Sequence, residues 1–147
     1  GAVAFPEGER PADIPWRAEG VAEAMAPRMV SMERFLNLTK MPILIIYGDN
    51  IATEPSEVFN TDVWRMASTR ARQLVETVNR HGGVATLGML PEIGIPGNTH
   101  IPFADLTNLE SADHLEAWLK EKGLDGRDMP HTGPALKPVA ASTIPLK

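Results

Sequence analysis

The chain contains no cysteine. That single absence removes a disulfide framework, thiolate metal sites and a cysteine nucleophile, while leaving reducing and oxidising compartments equally open. A long hydrophobic run is missing too: the longest, Ile43 to Tyr47, is far too short to cross a bilayer, so no membrane span is expected. No basic stretch followed by an apolar one opens the chain, and a signal peptide of a parent protein would lie upstream. Positive charge is scarce, with 14 basic against 19 acidic residues and a net charge of -5. This argues against a phosphate-binding surface and sets nucleic acid aside as a partner. None of the four histidines, His81, His100, His114 and His131, pairs with another at a metal-ligand spacing, so neither a catalytic metal nor a cofactor is expected. Gly82-Gly83 and Gly94-x-x-Gly97 lack the strand-to-helix setting of a phosphate cradle and read as turns. Finally, no serine sits on a strand-to-helix elbow that would make it a nucleophile.

What is present is an ordinary globular composition, 43% hydrophobic and 22% charged over 147 residues, enough for one domain with a real core. Ala2 to Phe5 is a short apolar run stopped by Pro6, as in a buried strand with nothing before it. With no starting Met, this predicts a piece of a longer polypeptide. From Pro6 to Lys40 the prolines and glycines predict a long excursion with short helices over Val21–Ala26 and Met29–Leu36. Its Trp16, Met25, Met29, Met32 and Phe35 would either line a pocket as a lid, over residues 11–40, or pack the excursion onto the core.

Pro42 to Tyr47 is continuous, β-branched and bounded by Gly48-Asp49, which predicts a strand of a parallel sheet covered on both faces. A helix capped by Thr61 or Asp62 and ending at His81-Gly82-Gly83 follows, then a strand over Val84–Leu90. The last helix runs from Asn108 to Lys122, with Leu109, Ala112, Leu115 and Leu119 on its apolar face and Gly123 as its stop. The order is that of an α/β fold built on a βαβ unit with a covering helix. The tail from Asp125 to Lys147, spaced by prolines, is expected to be extended.

Chemistry concentrates in Leu90-Pro-Glu-Ile-Gly-Ile-Pro-Gly-Asn-Thr-His100. His100 falls in a loop at the carboxyl end of a strand, where α/β sheets collect catalytic groups. A catalytic imidazole needs a carboxylate on one ring nitrogen and a nucleophile on the other. The carboxylate candidates are Glu7 and Glu9 after the first strand and Asp49 after the second. Asp105 heads toward the last helix and reads as a capping residue, and His114 reads as lying on the exposed side of that helix.

Met41-Pro-Ile-Leu-Ile-Ile-Tyr-Gly-Asp49, the helix end Asn79-Arg-His-Gly-Gly83, the His100 loop, and Asn108-Leu109-x-x-Ala112-Asp113 with Trp118 together resemble the C-terminal part of an α/β-hydrolase. Within that superfamily the chain is similar to bacterial esterases with a Gly-Asn-Ser/Thr-His loop, here Gly97-Asn98-Thr99-His100. The resemblance covers Ala2 to Gly123. It implies the C-terminal half of a parallel sheet with flanking helices over residues 1–124, carboxylic ester hydrolysis through an acyl-enzyme, and His100 as general base of a Ser-His-acid triad.

The usual Gly-x-x-Asp acid position holds Ile51. These esterases instead take a glutamate from a segment like Val-Glu-Pro-Gly-Glu, and Phe5-Pro6-Glu7-Gly8-Glu9 offers one in a slightly different order. That implies Glu7, nearer the strand end, then Glu9, with Asp49 in reserve. The family's Gly-x-Ser-x-Gly elbow is absent, because Ser31, Ser56, Ser68, Ser111 and Ser142 lack its flanks. The resemblance therefore implies an N-terminal segment or chain carrying the nucleophilic Ser as partner, and a small ester as substrate. Two alternatives stay open: a non-catalytic α/β-hydrolase-like binding or assembly subunit, and a lyase or transferase using the same geometry.

Overall fold

A computed structural model of the chain describes residues 3–126. The last part of the tail, from residue 127, and with it His131 and Ser142, lies outside the described residues. The elements in chain order are β1 (Ala4–Pro6), α1 (Val21–Ala24), β2 (Arg28–Val30), α2 (Met32–Phe35), β3 (Pro42–Tyr47), α3 (Phe59–Arg80), β4 (Val84–Met89) and α4 (Asn108–Glu121). β3 and β4 pair in parallel, in register from Pro42 opposite Val84 to Tyr47 opposite Met89. Parallel neighbours need a long crossover, and α3 supplies it.

The end of that crossover is built from side chains the sequence places there. Asn79 grips the first residues of β4 from both sides: its Nδ2 donates to the Ala85 carbonyl at 2.9 Å and its Oδ1 accepts the Ala85 N–H at 2.7 Å. Gly83 lets the turn close, since a Cβ there would come within 2.5 Å of Val78 Cγ1. α3 then buries Val78 with Val30, Phe35 and Ala85, and Leu74, Val75, Ile43 and Ala4 pack around them.

A second core lies nearer the start of α3, where Met66 meets Ile14, Ala18, Val21 and Met25. Residues 9–17 reach it by running along α3 from its last turn to its first. Glu9 bonds Arg80 and His81, the Ala12 carbonyl accepts from Arg70 and Gln73, and the Arg17 N–H donates to Asp62. The excursion is thus held by polar side chains along one helix edge and by apolar ones beneath it.

Several expectations change. Instead of one shared sheet, the described residues form two separate two-stranded parallel ladders, β1 with β2 and β3 with β4. Met29 belongs to β2 and not to a helix, because Ser31 caps the helix that starts at Met32 by accepting the Arg34 N–H. α3 begins at Phe59 with no side-chain cap; Asp62, inside its first turn, is turned to the Arg17 and Ser56 N–H groups of the incoming chain.

Half of the apolar face read off the sequence for α4 turns inward, since Leu115 and Leu119 are half-buried, and the other half does not. Leu109 is 73% exposed and Ala112 is exposed, while Ser111 is fully buried and His114 and Trp118 turn inward. Ser111 Oγ is satisfied by the Thr107 carbonyl, and His114 Nε2 would lie 3.3 Å from a Cβ on Gly88. The missing side chain of Gly88 makes room for the imidazole, so His114 is not on the exposed side.

Candidate active site

β3 and β4 end level with each other, and the loops that follow them meet. Gly48 is the point of contact: a Cβ on it would lie 1.9 Å from the Thr99 carbonyl oxygen and 3.0 Å from Asn98 Oδ1. Only a residue without a side chain lets the second loop pass this close.

That second loop is Leu90 to His100. It opens as a 3-10 turn over Leu90–Ile93 and reverses through Gly94 and Gly97, both at positive φ. Its last turn is bound on three sides. Asp49 Oδ2 accepts the Gly97 N–H at 2.7 Å, and the Asp49 N–H is shared between the carbonyl and the side-chain oxygen of Asn98, at 3.2 and 3.0 Å. Asn98 is completely buried; its Nδ2 donates to the Ile95 carbonyl at 2.8 Å and to Thr107 Oγ1 at 3.1 Å. Asp105 Oδ2 accepts the Thr99 N–H at 2.7 Å, while its Oδ1 accepts the Leu106 N–H at 2.8 Å. Two aspartates and one asparagine therefore grip Gly97, Asn98 and Thr99 in turn.

The aspartates are held ionised by the same bonds. Asp49 sits below the ordinary carboxylate range, first through the Gly97 N–H and then through that of Asn50. Asp105 is lowered first by the Leu106 N–H and next by Thr99. A backbone N–H aimed at a carboxylate favours its charged form.

His100 follows this clamped turn and is exposed. Its ring lies against the indole of Trp64 from α3, centroids 5.3 Å apart and planes inclined by 38°. Both rings line a pocket of about 500 Å³ at the carboxyl ends of β3 and β4, whose walls include Ile45, Ile51, Tyr47 and Asp49. The location is the one expected of ligand sites in open α/β sheets.

Of the acids named from the sequence, Asp49 lines this pocket and neither Glu7 nor Glu9 does. Glu9 binds Arg80 at 2.7 Å and His81 Nε2 at 2.9 Å. The helix from Trp64 to Arg80 rises by roughly 24 Å along its axis. Glu7 is exposed, and its N–H donates to the Val30 carbonyl. β1 thus delivers both glutamates toward the opposite end of α3 from His100, because residues 9–17 start at the last turn of that helix.

The serines are employed elsewhere. Ser31 caps α2, Ser56 Oγ accepts the Val58 N–H, and the hydroxyls of Ser68 and Ser111 donate to carbonyls one helical turn back. No residue of 11–40 lines the pocket, since Met25 and Phe35 are spent in the two cores.

In the sequence Gly48 reads only as the turn that ends a strand, Asn98 only as a member of the His100 loop, and Asp105 only as a cap toward α4, while Trp64 carries no signal at all. A glycine directly after an apolar strand was the available signal for Gly48. Burial of Asn98 and the Trp64 contact depend on segments far apart in the chain and leave no local mark.

Among solved structures the chain is similar to one described as a novel bacterial esterase determined at atomic resolution. The two are 29% identical with a TM-score of 0.53, over 61% of this chain and 26% of that one. This chain therefore spans about a quarter of that esterase's length. No protein-family model and no curated protein matches it. The described residues carry an α/β, esterase-like fold, with His100 and Asp49 sharing a pocket at the carboxyl ends of its paired strands.

Proposed function

We propose that this chain is the C-terminal part of a serine esterase and supplies the base and acid of its triad. What carries the reading is His100, placed on a rigidly clamped loop at the strand ends, in a pocket that also holds an ionised aspartate. The esterase-like fold supports the same reading. The nucleophile is a serine on an N-terminal segment or chain, because no serine of the described residues lines the pocket.

His100 accepts the Oγ–H proton as that oxygen attacks the ester carbonyl carbon, then returns it to the departing alcohol oxygen. Water, activated in the same way, releases the acid and regenerates the serine. Asp49 takes the place of Glu7 as the acid. Each of its carboxylate oxygens accepts one backbone N–H, which leaves lone pairs for the imidazole and a negative charge to stabilise the imidazolium. The isoleucine walls of the pocket suit a small ester with an apolar acyl or alcohol group.

Native mass spectrometry followed by fluorophosphonate labelling tests the arrangement. A co-purifying polypeptide that takes the label is the expected result. His100→Ala in that complex should lower kcat/KM for a nitrophenyl ester by about 10³-fold or more, with an unchanged melting temperature. Full turnover without His100 overturns the assignment. A lone chain with no labelled species favours the binding-subunit alternative.

A further inference from the structure

The clamp on the His100 loop stops one residue short of its imidazole. The Gly97 and Thr99 N–H groups donate to Asp49 and Asp105, and the Asn98 amide donates to the Ile95 carbonyl. Among the described residues, no hydrogen bond reaches the His100 ring. Asp49, the proposed acid, makes no hydrogen bond to that ring here, and an imidazole held only through its Cα samples several rotamers. The surface against the ring is the indole of Trp64, 5.3 Å between centroids.

Trp64 is unusual for its place. It lies in the second turn of the long helix α3, whose apolar side chains Val63, Met66 and Ala67 pack on a core, yet it is 42% exposed and turns toward the pocket mouth. An exposed tryptophan on an amphipathic helix contributes little to the core beneath that helix. Its indole is spent on the imidazole instead.

We propose that Trp64 is the positioning residue for His100: its indole holds the imidazole in the rotamer that faces the pocket and stabilises the imidazolium through its π face. This rests on the reading of His100 as the general base. A cation within about 6 Å of an indole centroid is attracted by the ring quadrupole. Charge appears on His100 only while it holds the serine proton, so the contact strengthens at the step that needs it. The other ionisable groups facing this site are Asp49 and Tyr47 in the pocket and Asp105 behind the loop. Both aspartates are left in place when Trp64 is changed.

Two measurements test it, one independent of turnover. In the chain as purified, the imidazole C–H resonances of His100 are followed against pH in wild type, Trp64→Phe and Trp64→Leu. The Leu variant should titrate about 0.4 to 0.7 pH units lower, corresponding to 0.5 to 1 kcal/mol of cation–π attraction, and the Phe variant should fall between. In the labelled complex, Trp64→Leu should lower kcat about tenfold with KM within twofold, and Trp64→Phe should recover most of it.

An unmoved His100 midpoint in Trp64→Leu overturns the proposal even if His100→Ala abolishes turnover. A rise in KM with kcat unchanged also overturns it, since Trp64 would then be a wall of the substrate pocket. A shifted midpoint together with an active His100→Ala enzyme upholds the Trp64–His100 contact and defeats the catalytic reading it rests on.

Discussion

At the scale of single residues, Asn98 does the most with the least. One buried amide ties the end of β3, through the Asp49 N–H, to the Ile95 carbonyl and to the Thr107 hydroxyl that precedes α4. Asn98→Ala strands these partners in a dry site and should cost about 2 kcal/mol in a urea titration. Restoring only the acceptor, as in Asn98→Asp, should not recover it, because the two donated bonds stay lost. Gly48→Ala is the complementary test. Its methyl would occupy the space of the Thr99 carbonyl, so the His100 loop must move outward, and a displacement near 1 Å costs a catalyst about 10²-fold. A Gly48→Ala enzyme with full activity would mean that the loop's position does not set that of His100. His100 and Asp49 were legible as candidates because strand ends and loop chemistry follow from local pattern. Asn98 was not, because nothing local in a Gly-Asn-Thr loop says which polar side chain faces inward.

At the scale of elements, α3 organises the molecule. Its apolar face follows from spacing, but its polar edge is what directs the chain along residues 9–17. Asp62 is the densest point of that edge. It is fully buried, pairs with Arg65 at 2.6 Å, and accepts the N–H groups of Arg17 and Ser56. Burial alone would raise its pKa; the Arg65 guanidinium and the two N–H groups overcome this and hold it at about 2, below the ordinary 3.8. A depressed carboxylate stabilises the fold above its unfolded pKa and ceases to do so as pH falls through the folded one. Wild-type urea midpoints should therefore drop between about pH 4 and pH 2, and Asp62→Asn should flatten that acid limb. The same variant should cost about 3 kcal/mol at pH 7, since it leaves Arg65 buried and unpaired. Equal acid limbs in the two proteins would show that the pair carries no linkage. The sequence pointed to Asp62 as a cap at the start of α3. Its true partners lie 45 residues upstream at Arg17 and six upstream at Ser56, and only one of them is near enough in sequence to suspect.

At the scale of the whole molecule, every residue of β3 is half-buried, although Pro42 to Tyr47 has the composition of a strand covered on both faces. Beyond His100 a run of large apolar side chains is open to solvent: Ile101 at 54%, Phe103 at 47%, Leu106 at 94% and Leu109 at 73%. These are the surfaces that the proposed N-terminal segment would meet. Leu106→Glu separates the two situations. In the chain itself it should change stability by less than about 0.5 kcal/mol, as exposed substitutions do. In the labelled complex it should weaken assembly at least tenfold, read by native mass spectrometry. Unchanged assembly would place the partner on another face.

Local sequence is enough for the α/β class, the parallel pairing of β3 with β4 through α3, the turns at Gly82, Gly94 and Gly97, and the candidacy of His100. All of these rest on local periodicity, turn chemistry or chain order, which neighbouring residues encode. Long-range contacts set the rest: β1 and β2 form a ladder of their own, Glu7 and Glu9 go to the far end of α3 while Asp49 lines the pocket of His100, α4 turns Ser111 and His114 inward, and Trp64 lies against the imidazole. Each of those depends on which distant segments come into contact, and contact is fixed by burial and close packing across the fold, not by any stretch of chain read alone.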